Sequence, residues 1–275
     1  MITLLTDFGY RDPFVGVMKG VIASIAPEVV VVDVTHGIEP QSVRAGGVAW
    51  RQAVPYFPAG SVHVAVVDPG VGSDRAIIAA KRNGSLFLAP DNGILGYLVD
   101  EDAAGAPFEE AVCVTESRYF RSHVSSTFHG RDIFAPVAAH LALGIELSSL
   151  GPPTVPRLEM LPGCKRVPSA DGATDDLCGE IIDIDCFGNC LTNVVLEARD
   201  DVREIHVAGR IVQGLSKSYA DVGVGELLVV VGSSRFLEIA VRNGRADREL
   251  AVTVGTGVVV RVATEDSVRK NGLSE

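Results

Sequence analysis

The first half of the chain alternates short apolar runs with segments of helical spacing, and this alternation restricts the fold more than any other feature. The strand-like runs are Ile2–Leu5, Val29–Val34 and Ser61–Val67, and the helix-like segments are Phe14–Ile25, Gln41–Val54 and Asp132–Leu143. Strands separated by helices predict an α/β layer with a largely parallel sheet, because each helix returns the chain to the same edge. The β-branched run Val29–Val34 predicts a strand buried on both faces.

The residue pattern of the chain changes after Gly151. Five prolines fall between positions 152 and 168, which is typical of a linker. Beyond it, short β-rich runs separated by glycine turns predict a small antiparallel barrel or sandwich. These runs are Gly179–Ile184, Leu191–Leu196, Glu204–Val207, Leu227–Val231, Phe236–Val241 and Val258–Val262. We therefore predict an N-terminal α/β domain over residues 1–160 and a smaller C-terminal β-barrel-like domain over residues 161–275.

Composition narrows the classes of function. Hydrophobic residues make up 47% of the 275 residues, enough for a substantial core, and the formal net charge is −11. An acidic chain without a basic tract is a poor candidate for nucleic-acid binding. No apolar run has membrane-spanning length, and the N-terminal segment lacks the features of a signal peptide. We expect a cytoplasmic protein without nucleic-acid or membrane partners.

Three ionisable residues stand out because each lies beside glycines just after a run that is typical of a buried strand. They are Asp68 and Arg75 around Asp68–Gly72, and His129 in Thr127–Asp132. A carboxylate, an arginine and a histidine at strand ends could hold and deprotonate a water molecule. Each residue taken alone also fits a structural role, since Asp-Pro-Gly favours a turn and His-Gly can begin a helix.

An ordered series of such motifs resembles the S-adenosylmethionine (SAM) hydroxide adenosyltransferases, relatives of the fluorinating and chlorinating enzymes. The motifs are Thr6–Gly9 with Asp12, Val32–His36, Asp68–Gly72, Ala89–Gly93, Thr127–Asp132, Ile184–Asn189, Ser234–Arg235 and Arg242–Gly244. The resemblance runs nearly end to end and implies an N-terminal α/β domain with a C-terminal barrel-like domain. It also implies a homotrimer with ligand sites between subunits.

The reaction implied by the resemblance is attack of water or hydroxide on C5′ of SAM, which releases adenosine and L-methionine. SAM is then the substrate, and we expect neither a cofactor nor a metal, because the sulfonium leaving group is already activated. The resemblance assigns Asp68, Arg75 and His129 to the catalytic water. It assigns substrate binding to Asp7, Asp12, Asp185, Asn189, Ser234, Arg235, Arg242, Asn243 and Gly244. Within that set, Asp7 would meet the ribose hydroxyls and Asp185 the methionine ammonium.

Three other interpretations stay open at this point. A SAM-dependent halogenase would form a 5′-halo-adenosine, but halide-using relatives carry an aromatic residue in place of Asp68, and a carboxylate would repel a halide. A non-catalytic protein that only binds SAM or adenosine would not need the three residues assigned to the catalytic water, and this chain has all three. A metal-dependent hydrolase using Asp7, Asp68, His129 and Asp132 would lose its activity in a chelator.

Overall fold

The computed structural model describes residues 1–100, 106–169 and 174–263 of the chain. The described residues form two compact units, and the chain divides between Leu161 and Pro162. None of the helices in the described ranges is both long and apolar enough to cross a membrane.

The N-terminal unit is an α/β layer. Its strands are β1 (Ile2–Thr6), β2 (Val31–Thr35), β3 (Val62–Val66), β4 (Ile77–Arg82), β5 (Ser85–Pro90) and β6 (Glu110–Cys113), and its helices are α1 (Phe14–Ile25), α2 (Val43–Ala53) and α3 (Ala135–Ala142). The sheet order is β2-β1-β3-β5-β4-β6. β1 pairs in parallel with β2 and β3, and β3 pairs in parallel with β5, whereas β4 pairs antiparallel with β5 and β6. The predicted α/β class with a largely parallel sheet is confirmed.

One detail of the predicted sheet is wrong. The run Val29–Val34 does not form a strand buried on both faces, because β2 lies at the edge of the sheet and all five of its residues are only partly buried. β-branched residues favour an extended backbone wherever they lie in a sheet, so their presence does not distinguish an edge strand from a central one.

Successive residues of the central strands enter two different cores. Leu4 and Val64 pack with α1 and α3 on one face, whereas the adjacent Leu5 and Ala65 pack with the buried Trp50 of α2 on the other. This is the period-two alternation of a strand with both faces covered. The continuous apolar runs seen in the sequence follow from this three-layer packing.

The chain changes direction within the sheet between β1 and β3. From β1 it crosses to β2 on one side, and it then returns to β3 on the other side of β1. In open α/β sheets such a switch point leaves a crevice beyond the carboxyl ends of the two strands, where ligands bind. Thr6 pairs with Val66 at these ends, so Asp7 and Asp68 both lie at the edge of the crevice.

The C-terminal unit is an antiparallel, barrel-like sheet. Its elements are β7 (Lys165–Pro168), β8 (Thr174–Ile184), β9 (Cys190–Val195), β10 (Val202–Val207), β11 (Arg210–Gln213), β12 (Leu227–Val231), β13 (Phe236–Val241), α4 (Ala246–Leu250) and β14 (Gly257–Ala263). The order is β11-β10-β14-β8-β9-β13-β12, with β7 paired to β8. Its core includes Ile181, Val194, Ile205, Ile239 and Val260. The predicted barrel-like architecture is confirmed.

A buried histidine of β3 predicts that the N-terminal unit loses stability in mild acid. His63 is 1% exposed and stacks on Phe87, and burial lowers the pKa of His63 from 6.5 to about 4. As pH falls below 6.5, the unfolded chain takes up this proton before the folded one does. The contribution of neutral His63 to the free energy of unfolding is therefore complete above pH 6.5 and is lost as the pH falls towards 4. Between pH 7 and pH 5 we expect it to fall by about 2 kcal/mol.

Urea unfolding followed by fluorescence measures this effect, because the single tryptophan of the chain is Trp50, buried in the same unit. Other groups also titrate in this range, so the comparison is with His63→Leu. Between pH 7 and pH 5, the free energy of unfolding of the variant should fall by about 2 kcal/mol less than that of the wild type. An equal loss in both proteins would contradict the assignment to His63.

Candidate active site

Asp68 and Arg75 form an almost buried ion pair on the loop that follows β3. The Asp68 and Arg75 side chains are 5% and 11% exposed. Arg75 Nε donates to both Asp68 carboxylate oxygens at 2.9 Å, and Arg75 Nη2 makes a further short bond to Asp68 Oδ2. This forked contact fixes the plane of the carboxylate and the orientation of the guanidinium group.

His129 joins the pair through one ring nitrogen. Arg75 Nη2 lies 2.8 Å from His129 Nδ1. Because arginine has donors only, Nδ1 must accept, and the neutral ring then carries its proton on Nε2. Burial, followed by the charge of Arg75, lowers the pKa of His129, against the opposing effect of Asp68 and Asp132. His129 is therefore neutral at neutral pH, and its Nε2–H is a donor.

Two loops far apart in the sequence bring these side chains together. Gly72 has φ +78°, and a Cβ there would lie 2.3 Å from the carbonyl oxygen of Ser126, so only glycine allows the two loops to approach so closely. On the other loop, His129 precedes a π-helical turn, Gly130–Phe134, which leads into α3. Such turns inside helices frequently occur at functional sites.

Asp132 anchors the second loop. Its buried carboxylate accepts two hydrogen bonds from Arg131, at 2.7 and 2.8 Å, and one from the backbone N–H of Ser125 at 2.9 Å. Burial acts to raise the pKa of Asp132, but these hydrogen bonds and the charges of Arg131 and Arg121 outweigh it and lower the pKa overall. The carboxylate thus has a structural role beside His129. In the described ranges, no group of three or more His, Cys, Asp or Glu side chains is arranged to hold a metal ion.

A cavity of about 350 Å³ in the N-terminal unit is lined by Asp7, Asp68 and His129. Asp7, the first residue after β1, accepts a hydrogen bond from the backbone N–H of Gln41 at 2.8 Å through Oδ2. This bond leaves the other carboxylate oxygen, Oδ1, for a ligand. The structure thus places Asp7, Asp68 and His129 around one space. Arg75 does not line the cavity but bonds to both Asp68 and His129. Asp12 lies exposed on the turn before α1.

One wall of this cavity is aromatic. Phe8, Phe14 and Phe128 meet edge to face, with ring centroids 5.2 to 6.0 Å apart. None of these three residues was predicted from the sequence to lie in the site, although Phe8 and Phe128 lie inside the motifs. Apolar walls with a few placed polar groups are characteristic of small-molecule sites. Here the polar groups include two carboxylates and a neutral imidazole, an arrangement that can bind hydroxyl groups and a water molecule.

In the C-terminal unit, Asp185 and Asn189 form a tight turn after β8. Asp185 Oδ1 accepts from the backbone N–H groups of Phe187 and Asn189 at 2.9 and 2.8 Å, and Asn189 Nδ2 donates to Asp185 Oδ2 at 3.0 Å. The Asp185 side chain is exposed at the surface of this unit. The structural role that the sequence allowed for this motif is therefore present, and remaining lone pairs of the carboxylate face solvent.

The other predicted binding residues of this unit lie on turns at the two ends of β13. Ser234 and Arg235 connect β12 to β13, and Arg235 has φ +70°. Arg242–Gly244 follows β13, and Arg242 Nη1 donates to the carbonyl oxygens of Ala220 and Val222 at 3.2 and 2.5 Å. The guanidinium of Arg242 thus supports a neighbouring turn.

Comparison with known proteins gives two family matches along the chain. Residues 2–151 match the SAM hydroxide adenosyltransferase N-terminal domain, and residues 179–259 match the C-terminal domain of the same family.

Individual proteins agree with these matches. The chain is 42% identical over 258 residues to an (R)-S-adenosyl-L-methionine hydrolase of Salinispora arenicola, covering 92% of this chain and 95% of the relative. It is 28% identical to a fluorinase of Actinopolyspora mzabensis, covering 95% and 96% of the two chains. A crystal structure of an uncharacterized conserved protein from Thermotoga maritima superposes with a TM-score of 0.83 at 36% identity, covering 94% of this chain and 99% of that one.

Proposed function

This chain belongs to the SAM hydroxide adenosyltransferase family, and we propose on that basis that it hydrolyses SAM to adenosine and L-methionine. The observation that carries the proposal is the Asp68–Arg75–His129 cluster beside the cavity that Asp7 also lines. SAM is the substrate in this proposal, and the reaction uses no cofactor.

The reaction forms a bond from the water oxygen to C5′ and breaks the bond from C5′ to sulfur. The sulfur keeps the bonding electrons and leaves as the neutral thioether of methionine, while one water proton passes to the protein and then to solvent. The negative charge of the nucleophile and the positive charge of the sulfonium group cancel as the bond to C5′ forms and the C5′–S bond breaks, so a site with little water favours the transition state. Holding the water in line with the C5′–S bond contributes several kcal/mol, with an upper range of about 7–11 kcal/mol.

The hydrogen bonds divide the roles within the cluster. Arg75 can only donate, and His129 uses Nδ1 to accept from Arg75, so its Nε2–H is left to donate to the water oxygen. Asp68 is then the side chain of the three that can accept the water proton without breaking a contact of the cluster. Arg75 holds the carboxylate in place and, by its charge, favours a bound hydroxide.

We extend the proposal to the rest of the substrate through the family motifs. Asp7, with Asp12 nearby, binds the ribose hydroxyls, and the methionine half meets Asp185 through its ammonium and Ser234 and Arg235 through its carboxylate. Asn189, Arg242, Asn243 and Gly244 face adenine. The homotrimer implied by the resemblance stays a prediction, which sedimentation equilibrium would test.

The experiment incubates the purified protein with SAM in H₂¹⁸O, with EDTA, with and without chloride, and separates the products by HPLC with mass detection. Because the relatives are named for the (R) form, each sulfonium epimer is supplied separately. We expect ¹⁸O-labelled adenosine and unlabelled methionine, unaffected by EDTA. A 5′-chloro-adenosine would favour the halogenase, and tight binding without turnover would favour the binder.

A further inference from the structure

His36 lies at the end of β2, outside the set of residues that the proposed reaction uses. It is fully buried, and its contacts lead to the loop that carries Asp7. We infer that His36 is a positioning residue: it holds the Asp7 loop from both sides and so sets the carboxylate that meets the ribose diol. This inference rests on the proposed role of Asp7.

The first contact is made by the His36 ring. His36 Nδ1 lies 2.8 Å from Thr6 Oγ1, and the same hydroxyl accepts a hydrogen bond from the backbone N–H of Phe8 at 3.2 Å. Thr6 and Phe8 are the two residues that flank Asp7. One side-chain contact of His36 therefore fixes the backbone immediately before and after the carboxylate.

The second contact is made by the His36 backbone. Its carbonyl oxygen accepts a hydrogen bond from the N–H of Gly9 at 2.8 Å. Gly9 has φ +68°, a conformation that turns the chain away from β1 and that glycine adopts without a steric penalty. The loop from Thr6 to Gly9 is thus attached to a single residue at both ends.

The other nitrogen of the His36 ring lies next to an ion pair. His36 Nε2 lies 3.1 Å from Asp33 Oδ1, and Lys19 Nζ donates to Asp33 Oδ2 at 2.6 Å. Burial acts to raise the pKa of Asp33, but Lys19 and His36 outweigh it, so the carboxylate is ionised. An ionised Asp33 favours a proton on Nε2, which leaves Nδ1 to accept from the Thr6 hydroxyl. The backbone N–H of Phe8 then donates to Thr6, the Thr6 hydroxyl donates to His36, and the ionised Asp33 paired with Lys19 lies beside the N–H of Nε2.

The chain contains a matched control for this arrangement. Three residues earlier on β1, buried Thr3 contacts buried His63 of β3, with Thr3 Oγ1 and His63 Nδ1 2.9 Å apart. This second threonine–histidine pair lies in the same sheet and is equally buried, but it is at the opposite end of β1 from Asp7. Substitutions at the two pairs remove the same chemical groups, and only one pair holds the Asp7 loop.

The test compares the binding of adenosine with that of 2′,3′-dideoxyadenosine, which lacks the diol, by calorimetry at pH 7.5. Hydrogen bonds to a charged carboxylate predict that the wild type binds adenosine roughly 10–100-fold more tightly. In His36→Leu and in the nearly isosteric Thr6→Val, this ratio should fall to about 3-fold or less. In His63→Leu and Thr3→Val it should stay within about 2-fold of the wild-type ratio.

The outcomes separate the inference from the proposed function. A wild-type protein that cleaves SAM but shows no preference for the diol would overturn the role of Asp7 and this inference with it. Full preference retained in both His36→Leu and Thr6→Val would overturn the inference alone. An equal loss of preference in the Thr3 and His63 variants would show general loosening of the sheet, which also overturns it. Thr6→Val keeps the test decisive if His36→Leu does not fold.

Discussion

Asp68→Asn should reduce kcat for SAM hydrolysis by about 10²–10⁴-fold, the usual loss when a residue that transfers a proton in the transition state is removed. Asparagine keeps the size of the side chain but lacks the charge that accepts the water proton and pairs with Arg75. The affinity for adenosine should change by less than about 3-fold, because Asp68 acts on the water and not on the nucleoside. Single-turnover kinetics and calorimetry measure the two quantities separately.

A control for this substitution lies on the same loop. Asp74 is exposed and immediately precedes Arg75, so Asp74→Asn removes the same charge close to the cluster without touching the water. We expect kcat of Asp74→Asn to stay within about 2-fold of the wild type, since a solvated charge has a weak effect at this range. If Asp68→Asn kept more than a tenth of the wild-type kcat, the carboxylate would not be the proton acceptor. The nucleophile would then arrive as hydroxide, held by donors alone.

Much of the fold could be predicted because burial gives strong sequence patterns. The bounds of α1 were predicted as observed, and the central strands β1 and β3 were predicted to within a residue at each end. Each of these elements buries a continuous or periodic apolar set. The edge strands β7 and β11 were missed, because Lys165–Pro168 and Arg210–Gln213 are four residues long and largely exposed and therefore carry no such pattern.

The site was predictable in part for a different reason. Parallel strands end at the same edge of a sheet, so placing Asp7 and Asp68 after neighbouring strands also places them near each other. The meeting of Arg75 with His129 depends instead on loop conformation, which Gly72 permits through its positive φ. Loop conformation leaves no periodic signal in a sequence. Nor could the sequence show that buried His36 has contacts on both sides of Asp7.

Asp132→Ala should lower the free energy of unfolding of the N-terminal unit by about 3–4 kcal/mol. Removing one partner of a buried ion pair costs about 3–5 kcal/mol, and a buried N–H without a partner costs about 1–3 kcal/mol. Here Arg131 is 29% exposed and can regain water, whereas the backbone N–H of Ser125 loses its acceptor. Urea unfolding followed by Trp50 fluorescence measures the change, with the exposed Asp74→Ala as a control expected within about 0.5 kcal/mol of wild type.

Asp132→Asn distinguishes a structural carboxylate from the metal ligand that the sequence also allowed. Asparagine retains an oxygen that can accept from the Ser125 N–H, so this variant should recover about 1–2 kcal/mol of the loss seen with alanine. Its activity should follow its stability and should not respond to EDTA or to added divalent cations, because Arg131 and Ser125 already occupy the carboxylate. A stable Asp132→Asn protein that lost activity and regained it with a divalent cation would contradict this role and would favour a metal beside His129.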